Sequence, residues 1–266
     1  MKKVGFIGAG NMGYPLLCGA VKAFGTDDVL FRCAHEEKNR EIEKKLQMLS
    51  AASLPVLTQK CNIVLLAVKP QFFDEVLEEI KDDFREDQIL ISMAPGVSME
   101  YLHKALGGKG KIVRVMPNTP AMVGQGMTAI CYGDGKFSEE ETGTIEALFQ
   151  SVGKTVVLPE RLMDASVLAS GSSPAFMYMF MEALADGAAK YGIPRNVAYE
   201  MIGQTMVGAG TMLLETKAHP GILKDNVCSP GGTTIAGVAA LEEYGFRNAV
   251  LKACDACYEK AEKMKK

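Results

Sequence analysis

A short apolar run, Lys3-Val4-Gly5-Phe6-Ile7, passes directly into Gly8-Ala9-Gly10-Asn11-Met12-Gly13, and residues 14–24 follow with apolar side chains at helical spacing. Strand, glycine turn and helix in that order leave few folds open. Gly8 suits the tight turn, Gly10 lets the backbone approach a pyrophosphate, and Gly13 permits close helix–strand packing. The pattern points to a dinucleotide-binding βα unit.

The unit recurs. Residues 29–33 read as the second strand, and its tip, Cys33-Ala34-His35, carries no acid until Glu36. An acid there would bind a ribose 2′-hydroxyl. Arg32, His35, Lys38 and Arg40 instead suit a 2′-phosphate, which favours NADP over NAD. Glu36, Glu37, Glu41 and Glu43 interleave with them, so a solvated helix face explains the same cations. Residues 61–70 form a continuous apolar strand of the kind buried in parallel sheets, stopped by Pro70. That places Ala67, Val68, Lys69 and Pro70 at the carboxyl edge of the sheet, where such folds bind ligands. Strands at 89–93 and 112–116 alternate with helices at 72–80 and 98–106. Pro117-Asn118-Thr119-Pro120 ends the fifth strand, Asn118 being either a nicotinamide or substrate contact or an Asx-turn residue. Strands at 127–132 and 155–158, around an acidic helix at 138–149, complete a parallel sheet with helices on both faces. The first domain is residues 1–160.

Residues 161–266 read as a second, all-helical domain. One helical pattern spans 162–190 with an interruption at Gly171-Ser172-Ser173-Pro174, a second spans 195–215, and the last spans 246–263. His219-Pro220 breaks the chain ahead of Ser229-Pro230-Gly231-Gly232-Thr233-Thr234. Ser229 reads there as an N-cap with proline at the first helical position. Gly231 and Gly232 in the first turn would expose backbone N–H groups to an anion, with two hydroxyls beside them. A plain capped helix start fits equally well. Residues 176–181 are apolar all round, which a surface helix cannot be. A domain of about 105 residues has little interior to hide them, so these helices are expected to pack against a second subunit.

Composition excludes other classes. The 266 residues are 48% hydrophobic and 23% charged with a net charge of −3, without a basic face for nucleic acid or a polybasic membrane segment. Seven scattered cysteines argue against a disulfide framework and for a reducing cytoplasm. Cys254 and Cys257 form C-x-x-C inside a helical pattern without a second ligand pair, so no metal is expected.

The glycine turn, Ala67-Val68-Lys69-Pro70, and the run from His219-Pro220-Gly221 through Lys224-Asp225-Asn226 to Thr234 together resemble the pyrroline-5-carboxylate reductases over essentially the whole chain. The resemblance implies a Rossmann-type doubly wound sheet followed by an all-helical dimerisation domain. It implies reduction of the cyclic imine 1-pyrroline-5-carboxylate to proline by NADPH, or less often NADH, in a homodimer or a ring of dimers. It also implies site residues: Ile7, Gly8, Ala9, Gly10, Asn11 and Met12 on the dinucleotide phosphates, and Ala67 through Pro70 along the cofactor. Glu160, Thr233 and Thr234 would touch the substrate and Asn226 the cofactor. Departures fall at Ser173 and Phe176, where relatives commonly carry Gly and Tyr, at Ser53-Leu54, and at Cys33-Ala34. Chemically, backbone N–H groups near Gly231, Gly232 and Thr233 would hold a carboxylate, with Ser229 a further substrate contact and the Thr234 hydroxyl on the ring nitrogen as the catalytic contact. Two alternatives stand beside this: a hydroxyacid dehydrogenase, disfavoured because Lys190 is the first lysine after Gly171, and a non-catalytic dinucleotide sensor.

Overall fold

The computed structural model describes residues 2–265. Two compact units emerge, one running to Pro174 and regaining the chain from Cys257 onward, the other Ala175–Ala256.

The first unit contains β1 (Lys2–Ile7), α1 (Gly13–Phe24), β2 (Val29–Arg32), α2 (Glu36–Leu46), α3 (Leu54–Lys60), β3 (Cys61–Leu66), α4 (Phe73–Ile80), β4 (Ile89–Ser92), α5 (Met99–Ala105), β5 (Lys111–Met116), β6 (Gly126–Tyr132), α6 (Glu139–Gln150), β7 (Gly153–Val157) and α7 (Met163–Ser166). The sheet order is β2-β1-β3-β4-β5-β6-β7. Successive residues of the central strands feed opposite cores. Phe6, Ile63, Leu65 and Val113 pack with Leu16, Leu17, Ile145 and Phe149 on one face. Ile7, Val64, Leu66 and Ile112 pack with Leu57, Phe73, Leu77 and Leu102 on the other. This is why residues 63–66 are continuously apolar.

Two expectations need correction. The sheet is not wholly parallel: β6 runs antiparallel to β5, and β7 parallel to β6. Only residues 117–125 join β5 to β6, too few for the crossover of a dozen or more residues that a parallel neighbour needs. The third strand also stops at Leu66 and not at Pro70, because its ladders to β1 and β4 end at Ile7↔Leu66 and Leu66↔Ser92.

Beyond α7 the helical path makes a π-type turn over Val167–Gly171, closed by Ser172 N–H on the Val167 carbonyl at 2.7 Å. It continues as α8 (Ser173–Lys190), the Ser173 hydroxyl bonding back to the Ala169 carbonyl at 2.9 Å. The second unit adds α9 (Arg195–Thr216), α10 (Pro220–Val227), α11 (Thr233–Glu243) and α12 (Phe246–Glu262), the last returning to the first unit's residues from Cys257. His219-Pro220 starts a helix as well as ending a loop: His219 Nδ1 accepts the Gly221 N–H at 3.0 Å, with Pro220 at the first helical position. Among the described residues no helix is long and apolar enough to cross a membrane.

Candidate functional site

β1 pairs with β2 on one side and β3 on the other, both parallel, so chain connections leave in opposite directions at its carboxyl end. Ligands of doubly wound sheets bind at such a point. Gly8 N–H donates to the Arg32 carbonyl and Ala67 N–H to the Ile7 carbonyl, each at 2.8 Å. Gly8 has φ +91°, and a Cβ on it would lie 2.9 Å from the Ala67 carbonyl oxygen. A Cβ on Gly13 would lie 2.7 Å from Ala67 Cβ and 2.9 Å from the Gly8 oxygen. Around Gly10 the same test meets nothing within 4 Å. Two glycines are demanded by packing, and the third faces open space.

That space is a cavity of about 730 Å³ bordered by Gly10, Asn11, Tyr14, Lys38, Met122 and Val123 among others. The N-terminus of α1 carries no side-chain cap. Tyr14 N–H is taken by the Gly10 carbonyl at 2.9 Å and Pro15 has none, which leaves the Gly13 N–H and the turn ahead of it for phosphate oxygens. The arrangement fits a dinucleotide. The Ile7 side chain is buried in the core, so only its backbone faces the turn. Val68 and Lys69 follow directly, and Pro70 opens a single 3₁₀ turn, Pro70–Phe72. The apolar wall at Met122 and Val123 has no sequence signal, because it reaches the glycine turn only through folding.

At the tip of β2, the Arg32 guanidinium donates to Glu36 Oε1 at 2.5 Å and to the Ala51 carbonyl at 3.2 Å. Lys45 and Lys38 both bond Glu41 and hold its carboxyl down at about 2. Each ammonium also lies 5.9 Å from the Tyr14 ring centroid. Asn39 is fully buried and shapes the tip, accepting the Cys33 N–H at 2.8 Å and donating to the Cys33 carbonyl at 3.1 Å. Burial pushes the Cys33 thiol up. Nothing in the alternating charges of residues 36–45 marks Asn39 for this part.

Two anticipated contacts have other work. Asn118 makes no Asx turn: its Oδ1 accepts the Met127 N–H at 2.9 Å and its Nδ2 donates to the Ser170 carbonyl at 3.0 Å. Glu160 Oε1 accepts from Met99 N–H at 2.9 Å and from Arg114 Nη1 at 3.2 Å, while Arg114 Nη2 donates to Asp164 at 2.9 Å. The Arg114 side chain is 6% exposed. Glu160 borders a separate cavity of about 990 Å³ with Lys111, Ile112, Tyr132 and Val157. Those residues begin β5 and end β6 and β7, so this cavity lies at the amino edge of the parallel strands, away from the glycine turn. Glu160 thus has a structural part, a charge that tethers α5 and balances Arg114.

In the second unit the 229–234 stretch is built differently from expectation. Ser229 is not an N-cap. Its carbonyl accepts the Gly232 N–H at 3.0 Å, with Pro230 and a positive-φ Gly231 (+67°) between, the signature of a type II turn. Gly232 is the N-cap, without a side-chain bond, and α11 starts at Thr233. Proline followed by glycine satisfies the turn better than the helix, and this decides the competition. The N–H groups without an intrahelical acceptor thus belong to Thr233, Thr234 and Ile235, and the Gly232 N–H is already used. Both threonines are exposed, and Asn226 sits exposed near the end of α10. Cys254 and Cys257 are free thiols within α12, and no metal-holding cluster occurs among the described residues.

Comparison with known proteins agrees along the whole chain. Residues 160–264 match a family model described as pyrroline-5-carboxylate reductase dimerisation, and residues 3–96 one described as NADP oxidoreductase, coenzyme F420-dependent. The pyrroline-5-carboxylate reductase of Escherichia coli is 41% identical over 100% of this chain and 99% of its own. The Plasmodium falciparum pyrroline carboxylate reductase, solved with NADP bound, superposes with a TM-score of 0.89 at 31% identity, covering 100% of this chain and 98% of that one. The 1-pyrroline-5-carboxylate reductase of Streptococcus pyogenes gives 0.88 at 34%, covering 98% of each. With identity at this level from end to end, on a glycine turn and sheet of the matching architecture, the chain belongs to the pyrroline-5-carboxylate reductase family.

Proposed function

We propose that this protein reduces 1-pyrroline-5-carboxylate to L-proline with NADPH, or alternatively NADH, as an NAD(P)-dependent oxidoreductase acting on a C=N bond. The observation that carries the reading is the end-to-end 41% identity to a reductase of that name, with the open Gly10 cradle as its structural counterpart. When bound, the nicotinamide supplies the hydride. The chain's own part is positioning. Gly8 through Gly13, with Ala67, Val68, Lys69 and Pro70, hold the dinucleotide, Arg32 stands at its ribose end, and Asn226 is a further cofactor contact, Asn118 acting by fixing the loop after β5 through its bonds to Met127 and Ser170. The backbone N–H groups of Thr233, Thr234 and Ile235 take the substrate carboxylate, the α11 dipole adding about 0.3–1 kcal/mol. Thr234 Oγ1 accepts from the protonated ring nitrogen and favours the electrophilic iminium. Hydride on carbon and the proton already on nitrogen complete the amine, so no protein nucleophile is needed.

Residues 1–160 as the dinucleotide domain, residues 161–266 as the substrate and dimerisation domain, a homodimer or ring of dimers, and a cytoplasmic location belong to the same proposal. All seven cysteines are free, which suits a reducing compartment. The test is NAD(P)H oxidation with pyrroline-5-carboxylate beside open-chain oxo acids. Turnover of the imine alone supports the reading. Turnover of oxo acids points to a hydroxyacid dehydrogenase, and cofactor binding without turnover to a sensor.

A further inference from the structure

The tip of β2 holds a cation that a 2′-phosphate would want and an anion already bound to it. Arg32 closes β2 in the same place as the glycine turn, its carbonyl taking the Gly8 N–H at 2.8 Å. Its guanidinium is anchored by the Ala51 carbonyl through Nη1 at 3.2 Å, and Nη2 donates to Glu36 Oε1 at 2.5 Å. The Arg32 side chain is 20% exposed and that of Glu36 58%. The guanidinium is thus fixed while its counter-ion is free to leave. Glu36 is the first residue of α2 and the first acid after β2, in the region where an acid selects a ribose 2′-hydroxyl.

Lys38 and Lys45 share Glu41, and Glu43 is held by the Ser50 N–H at 2.9 Å and hydroxyl at 2.7 Å, with Arg40 and Arg32 both close enough to lower its pKa but only Glu36 in hydrogen-bond contact with the Arg32 guanidinium. We infer that Glu36 sets cofactor choice by competing with the 2′-phosphate of NADPH for Arg32. A dinucleotide bearing the phosphate must displace Glu36 from Nη2 and stand beside a carboxylate. One bearing a 2′-hydroxyl leaves the ion pair intact and finds an acceptor in Glu36. The pair thereby narrows the gap between the two cofactors and makes a single substitution enough to reopen it. This rests on the dinucleotide reading proposed above.

Calorimetric titration with adenosine 2′,5′-bisphosphate and adenosine 5′-monophosphate isolates the 2′-phosphate from catalysis. Glu36→Gln is expected to tighten the bisphosphate roughly threefold or more while the monophosphate stays within about twofold. Arg32→Met is expected to weaken the bisphosphate and, in the double variant, to abolish the gain from Glu36→Gln. The NADPH-to-NADH ratio of kcat/KM should rise in Glu36→Gln by the same factor, with thermal unfolding confirming that each variant is folded. If both nucleotides bind and Glu36→Gln leaves their ratio unchanged, the competition is overturned and the dinucleotide reading stands. Should neither nucleotide bind the unaltered protein, both fall together.

Discussion

Gly13 and Gly10 are the same residue type three positions apart, and they should fail in opposite ways. A methyl on Gly13 meets Ala67 Cβ and the Gly8 carbonyl, two atoms fixed to the backbone. Gly13→Ala is therefore expected to lower stability by about 1–3 kcal/mol in urea unfolding. Gly10→Ala finds no neighbour within 4 Å, so stability should hold within ~0.5 kcal/mol while the cofactor KM rises several-fold. Thr234 offers a cleaner test of chemistry. It is exposed in the first turn of α11, where alanine is at least as good a helix former. Thr234→Ala should lower kcat/KM at least tenfold (about 1.4 kcal/mol) with an unchanged unfolding curve, and unchanged kinetics would remove it from the mechanism. The glycines were legible because a backbone requirement writes itself into residue type. Arg114 was not, because its carboxylates at Glu160 and Asp164 lie 46 and 50 positions away.

Among the elements, β3 combines strong sequence signal with a titration that only packing creates. Cys61 opens the strand beneath α3, and burial pushes its thiol up to about 12. The group is neutral when folded and acidifies on unfolding. Its contribution is complete below the unfolded pKa, near 9, and is lost as pH rises towards 12. Urea unfolding should show the loss reaching ~2–3 kcal/mol by pH 11. Cys61→Ala should flatten that part of the profile, leaving a smaller decline above pH 10 from Tyr132, whose hydroxyl burial also raises to about 12. Where elements were misjudged, a local rule met a competitor. Pro230-Gly231 formed a turn before it could begin a helix, and β3 ended where its neighbours did.

For the whole molecule, the exposed apolar surface is the main fact. Between Ala175 and Ala256 the fully buried apolar residues are only Ala185 and Ala198, whereas Val207 and Leu214, one heptad apart on α9, are 61% and 65% exposed. Such a surface calls for association, as the dimerisation-model match over 160–264 independently indicates. Light scattering at micromolar concentration should give at least twice the 28.7 kDa chain mass, and Val207→Glu with Leu214→Glu should shift it towards one chain.

The sequence by itself determined the dinucleotide-binding βα unit, the buried parallel strands and the helical second half. Each of these follows from short-range rules of period, turn chemistry and backbone space. Tertiary structure alone decided the reversal of β6, the Arg114–Glu160 pair, the Asn39 clasp and the Arg32–Glu36 pair. Those depend on which side chains meet after the chain has closed on itself, and strand pairing and charge compensation are settled by neighbours that linear order does not reveal.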